Sequence, residues 1–195
     1  MKMYKMGIVS LLLLSGFGTG VARAQMTAAP AGIQAEVTRS IDDVEKKLVA
    51  LAEATPQEKY SWKPAEGVRT TGEVFMHVAQ ANYGISTLLG AKVPEGVNVR
   101  EMPKISEKAQ VIDALQKSFA HARQAVSSTT DLESKVKLMG GREGTAREVL
   151  LILATHAHEH LGQSIAYARM NGIVPPWTME HDHEHDMKKD MPKKP

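Results

Sequence analysis

Apolar residues return at every third or fourth position along four stretches of this chain, and on two of them histidine stands where the rhythm calls for a hydrocarbon. One seam runs Val149, Leu153, His156, His160, Gln163, Tyr167, and another Thr70, Val74, His77, Ala81, Gly84, Leu88. Steps of three and four mark the stripe that an amphipathic helix turns toward its core. An imidazole left there without partners costs about 1–3 kcal/mol, whereas one divalent ion satisfies several rings together. The same rhythm that predicts helices therefore marks His77, His156 and His160 as residues that need a reason.

The other two seams are plainer. Ile33, Val37, Ile41, Val44, Leu48 and Leu51 predict a first helix that Pro56 ends, and Ser106 followed by Ile112, Leu115, Phe119, Ala122 and Val126 predicts a third. Between the first and second, Tyr60 through Gly67 reads as an ordered loop, with Trp62 large enough to plug the end of a bundle. Thr70 or Thr71 can cap the second helix, which runs to Leu89 with Gly90 behind it. Leu132 to Met139 reads either as extended or as irregular, ahead of the turn signal Gly140-Gly141. The fourth helix opens at Thr145-Ala146-Arg147-Glu148, a capping-box pattern, and stops at Asn171-Gly172 before Pro175 and Pro176. Four long amphipathic segments in one domain, residues 33–176, predict an all-α four-helix bundle, a fold that builds metal sites from facing helices.

The ends have a different character. Residues 1–24 carry Lys2 and Lys5, an apolar run from Ile8 to Leu14, and a close of Ala22-Arg23-Ala24, which reads as a signal peptide cleaved after Ala24 and predicts a secreted or periplasmic protein. The apolar run is too short and too rich in glycine for a membrane span, so no stable membrane insertion is expected after cleavage. Residues 25–32 form an Ala/Pro/Gly linker, and residues 177–195, with Glu180-His181-Asp182-His183-Glu184-His185-Asp186, are too polar to pack a core and read as a disordered tail. The full chain carries a formal net charge of +2, but the predicted mature form has lost three basic residues and no acid, leaving about −1. A nucleic-acid partner gains no support from such a balance. With no cysteine, a thiol nucleophile is excluded and any metal ligands must be His, Asp or Glu.

Residues four apart on a helix project from one face at roughly 6 Å, so His156 and His160 can grip one ion while His77 reaches it from a facing helix. Three protein ligands leave a coordination position open, which suits a catalytic metal better than a closed structural site. His158 lies about 200° around the helix from each neighbour and points away, and His121, off the seam of the third helix, reads as a surface residue. Gln163, one turn beyond His160, is the first candidate for a pocket residue that orients a ligand or handles protons; Glu159, Tyr167 and Glu73 are further candidates. His156 is followed by Ala157, so the H-E-x-x-H pattern of zinc proteases is absent.

The set His156-x-x-x-His160-x-Gly162-Gln163, with Glu73-x-x-x-His77 upstream and Trp62-Lys63-Pro64-x-x-Gly67 before that helix, resembles the DinB-like (YfiT-like) metalloenzymes over roughly Ile33 to Pro176. The resemblance implies a four-helix bundle with a divalent ion, usually nickel or zinc, held by the residues matching the motif histidines, His77, His156 and His160. Iron, copper or manganese would also accept such donors. Some relatives use low-molecular-weight thiols as transferases or isomerases and often have His or Arg where this chain has Leu161. The expectation is an exported metal-dependent hydrolase or transferase acting on a small-molecule substrate, with a homodimer left open. The alternatives are a non-enzymatic extracytoplasmic metal carrier that also uses the His/Asp tail, and a metal-free bundle that binds a partner.

Overall fold

The structure, a computed structural model, describes residues 32–178. The expected signal peptide, the expected linker up to residue 31 and the expected tail beyond Thr178 lie outside the described residues. Four long helices form: α1 (Ile33–Ala54), α2 (Thr71–Thr87), α3 (Lys108–Ser128) and α4 (Ala146–Met170). The expected four-helix fold is what the chain adopts, with one addition. Two short strands, β1 (Lys135–Lys137) and β2 (Glu143–Thr145), pair antiparallel ahead of α4. Gly140 and Gly141 both take positive φ (80° and 85°) in the turn between them, conformations that an L side chain resists. Of the segment that the sequence left ambiguous, Leu132 to Met139, the middle is extended, as Lys135–Lys137, and Leu132 and Glu133 form a turn.

Helix α1 packs on α3 and α4, and α2 packs on the same two, so the order around the bundle is α1, α3, α2, α4. Consecutive helices α1 and α2 stand on a diagonal, as do α3 and α4. The core between them is made by Val37, Ile41, Val44, Leu48 and Leu51 of α1, Leu115, Phe119 and Val126 of α3, and Val149, Leu150 and Leu153 of α4, joined by Phe75, Met76 and Val78 of α2. Each such side chain taken from water contributes roughly 1.5–3 kcal/mol. Beside this core, Asn82 of α2 donates to Ser118 Oγ of α3 at 3.1 Å, a buried polar tie. Arg123 of α3 reaches Asp42 and Glu45 on α1.

Several details differ from the seams as read. On α2 the buried residues are Thr71, Gly72, Val74, Phe75, Met76, Val78, Ala79, Asn82, Tyr83, Ile85 and Ser86, a face broader than one stripe and rotated from the line through His77. Gly84 is exposed and Ala81 and Leu88 are only partly buried, so that seam runs along the margin of the packed face. On α3 the packed line begins at Val111 rather than Ile112. His121 is buried, 8% exposed, against the ring of Tyr83 at 5.0 Å between centroids; it belongs to a second stripe with Ser118 and Ala125 and is not a surface residue. Trp177, assigned by composition to the tail, is partly buried against the core.

The caps also exchange roles. Thr70 forms the complete box at α2: its Oγ1 accepts from the Glu73 N–H at 3.2 Å, and Glu73 Oε2 accepts from the Thr70 N–H at 2.7 Å. At α4, Thr145 Oγ1 accepts from the Glu148 N–H, but the Glu148 carboxylate turns to Arg142 instead of closing the box. The loop entering α2 is held by its own backbone. The Thr71 N–H donates to Trp62 O and the Gly72 N–H to Tyr60 O, both at 2.9 Å, while the Tyr60 hydroxyl donates to Ala52 O at 2.8 Å. A Cβ on Gly72 would stand 3.2 Å from the Tyr60 carbonyl and ring, so a side chain there would push the loop back by a few tenths of an ångström. These contacts anchor the two ends of the loop whose residues 67–69 line a pocket with His77.

Candidate functional site

Helices α2 and α4 are neighbours, and the three marked histidines meet between them. His77, His156 and His160 each offer a ring nitrogen, and these atoms lie within 4.8 Å of one another. His77 Nε2 and His156 Nε2 face each other at 3.2 Å. Ring centroids are 4.6 Å apart for His156 and His160, 4.6 Å for His77 and His160, and 5.0 Å for His77 and His156. Two nitrogens bound at ~2.0–2.1 Å to one tetrahedral ion stand about 3.3 Å apart, so the closest pair already has the spacing of shared ligands.

Protonation favours the same reading. Burial pushes His77 down to about 4, helped by the Arg69 guanidinium and by the two neighbouring imidazoles. Burial also lowers His156, with His160 and Arg69 acting in the same sense and Glu159 opposing them. Both rings are thus neutral near pH 7, with lone pairs available to a cation. His156 Nδ1 is buried and has no hydrogen-bond partner among the described residues, a cost that the ring bears while its Nε2 faces the cluster.

His160 is oriented from behind. Its Nδ1–H donates to Gln163 Oε1 at 2.8 Å, and Gln163 Nε2–H donates to the Tyr167 hydroxyl at 3.0 Å. With Nδ1 as the donor, the other nitrogen carries the lone pair and faces the cluster. The Tyr167 ring in turn meets Trp62 edge to face at 5.5 Å, which ties the loop before α2 to the end of this chain of contacts. The seam position of Gln163 was the signal for it, and Tyr167 follows one turn later.

The other sequence candidates are placed differently. Glu159 is exposed and makes no hydrogen bond to the histidines among the described residues. His158 is exposed and its Nδ1 lies 2.9 Å from Ala154 O, directed away from the cluster as its helical phase predicts. Glu73 lines the pocket, although one of its oxygens is engaged by the cap of α2. That pocket, about 670 Å³, is bounded by Gly67, Val68, Arg69, Glu73, His77, Gln80, Pro103 and Gln163. Arg69 and Gln80 had not been singled out: Arg69 sits in a loop with no periodicity, and Gln80 carries nothing in sequence to separate it from a surface residue. Among the described residues, no helix is long and apolar enough to cross a membrane.

The sequence profile of the DinB superfamily matches residues 40–164, a span that contains all three histidines. No protein of curated function matches the chain. Among solved structures, a DinB-like protein from Bacillus cereus superposes with a TM-score of 0.62 at 21% identity, covering 72% of this chain and 93% of that one. A DinB-like protein from Bacillus subtilis, YjoA, gives 0.56 at 17% identity, covering 71% and 94%. YfiT from Bacillus subtilis, described as a probable metal-dependent hydrolase with an unusual four-helix bundle topology, gives 0.57 at 14% identity, covering 74% and 93%. At these identities the likeness is one of fold, and it agrees with the bundle found here. With the profile spanning well over half of its length, this chain belongs to the DinB superfamily.

Proposed function

We propose that the protein is a metal-dependent hydrolase or transferase in which His77, His156 and His160 hold one divalent ion, zinc or nickel by the family resemblance. The observation that carries this reading is the meeting of three imidazoles from two helices, with His77 and His156 nose to nose at 3.2 Å. When bound, such an ion supplies Lewis acidity, lowering the pKa of water or polarising a carbonyl or phosphoryl oxygen. The chain's own residues do the rest. Gln163 holds the His160 ring in one tautomer, and the pocket beside His77 receives a small molecule against Val68 and Pro103. Glu73, whose Oε1 is left over from the helix cap, is the carboxylate on that wall placed to accept a proton. A carrier needs a ligand set but no such pocket, so the cavity favours turnover over storage. Elemental analysis of untagged protein purified without chelators tests the assignment: close to one divalent ion per chain is expected, and metal-free protein that takes up no zinc on dialysis would refute it.

Gln163 gives a graded test. Its replacement by Leu removes the acceptor that fixes His160, and the loss of such a partner weakens metal affinity by about 10–100-fold. Gln163→Glu keeps an acceptor and should recover most of that loss in a chelator competition assay. Equal weakening by both variants would mean that the side chain matters only for packing.

The reading extends to export, supported by the basic, apolar and small-residue pattern of residues 1–24. Protein recovered from outside the cytoplasm should have the mass of residues 25–195. An intact chain beginning at Met1 there would overturn the cleavage site.

A further inference from the structure

The wall of the pocket at His77 holds one cation that nothing else uses. Arg69 lines it together with Gly67, Val68, Gln80 and Pro103, and forms no ion pair or hydrogen bond among the described residues. The other polar side chains there each already hold a partner within the fold. Gln163 spends its oxygen on His160 and its nitrogen on Tyr167, and Gln80 donates to Val99 O at 2.9 Å. The first N–H groups of α2, which could otherwise receive an anion, are already taken: Thr71 and Gly72 donate to the loop carbonyls, and Glu73 donates to Thr70. The carboxylate of Glu73 lies on the same wall, but it accepts from the Thr70 N–H and sits at the positive end of the helix, which balances its charge locally. A guanidinium offers two parallel N–H donors whose spacing matches the two oxygens of a carboxylate or phosphate.

We infer that the pocket takes a small organic oxyanion, its carboxylate or phosphate group anchored by Arg69 and its carbon part lying along Val68 and Pro103 toward the three histidines. This names the substrate class for the site proposed above and rests on that reading for the chemistry, though not for the binding. Arg69 and His77 line the same cavity of about 670 Å³, so an oxyanion held on Arg69 lies in the space that His77 borders.

Calorimetric titration with glutarate, its neutral diamide and inorganic phosphate tests the inference on the full mature chain, both zinc-loaded and after chelation. Wild type should bind glutarate or phosphate and discriminate against the diamide in both forms. Arg69→Gln should weaken anion binding by ~10-fold or more, with Arg69→Lys between, because loss of a charge-assisted bidentate contact leaves the anion only solvent. Metal content of Arg69→Gln should equal that of wild type, which separates the anion subsite from the ligand set. Anion affinity unchanged in Arg69→Gln, equal affinity for glutarate and its diamide, or no anion binding by wild type would each overturn the inference. If the chelated protein shows the Arg69 dependence but zinc is never bound, the subsite stands and the metal reading falls.

Discussion

His156→Ala should lose its ion on dialysis under conditions in which the wild type keeps it. In the proposed site the ring supplies one of three ligands, so its removal should exceed the change of about 100-fold at the upper end for an outer contact. Replacing His77 or His160 should do the same, and the control lies two residues from each ligand of α4. His158→Ala alters an exposed ring that turns to the Ala154 carbonyl, and should leave metal content unchanged. Stability gives a second reading. An ion present at a thousand times its Kd adds about 4 kcal/mol to the folded state, so zinc should raise the wild-type melting temperature and leave that of His156→Ala in place. In chelator the gap closes, because His156 Nδ1 is buried without a partner and the substitution removes that cost of about 1–3 kcal/mol along with the packing of the ring. The metal-free variant should therefore be within about 1 kcal/mol of metal-free wild type, an outcome that an ordinary core histidine would not give. Equal metal occupancy in wild type and all three ligand variants would end the proposal.

How far the sequence carried this site depends on which helix is considered. Helix α4 shows His156, His160, Gln163 and Tyr167 at helical spacing because Val149 and Leu153 fix the phase of its seam. Helix α2 hides its phase: Gly72, Ala79, Asn82 and Ser86 are all buried, and small or polar residues give no hydropathic contrast from which to read a face. A line through His77 drawn from hydropathy therefore runs along the margin of the packed face, through exposed Gly84, and still brings His77 against α4. His121 was misread for a related reason. Its stripe on α3 is completed by Ser118 and Ala125, so the imidazole looked stranded among polar neighbours when in fact it packs on Tyr83 of α2. The order of helices around the bundle is a property of the diagonal connections, which no local periodicity encodes. Arg69 lay beyond reach for the same reason: its importance comes from what its neighbours have already spent their hydrogen bonds on.

The second large effect is on folding, and it separates the scaffold from the site. Phe75 is fully buried on α2, two residues before His77 and about 200° around the helix from it, so its ring packs on the side away from the cluster. It meets Tyr60 at 6.0 Å between centroids, and Tyr60 in turn holds the Ala52 carbonyl through its hydroxyl and the Gly72 N–H through its own carbonyl. Phe75→Ala should destabilise the chelated protein by about 3–5 kcal/mol, the range for emptying an aromatic site in a close-packed core. For a domain of this size that is a fall in melting temperature of roughly 10 °C or more. Phe75→Leu refills most of the volume and should cost about 1 kcal/mol. The checking measurement is urea unfolding in chelator with the slope held in common, since a changed slope would signal a different denatured state rather than a lost contact. Once folded, Phe75→Ala should still bind one ion, because His77 is carried by backbone that this ring supports from the opposite face while His156 and His160 stand on α4. The affinity should fall only as far as the loosened Tyr60 loop lets α2 shift, less than the loss in His156→Ala. A cost below about 1 kcal/mol for Phe75→Ala would contradict the packing described for α2, and with it the registration of His77 against α4.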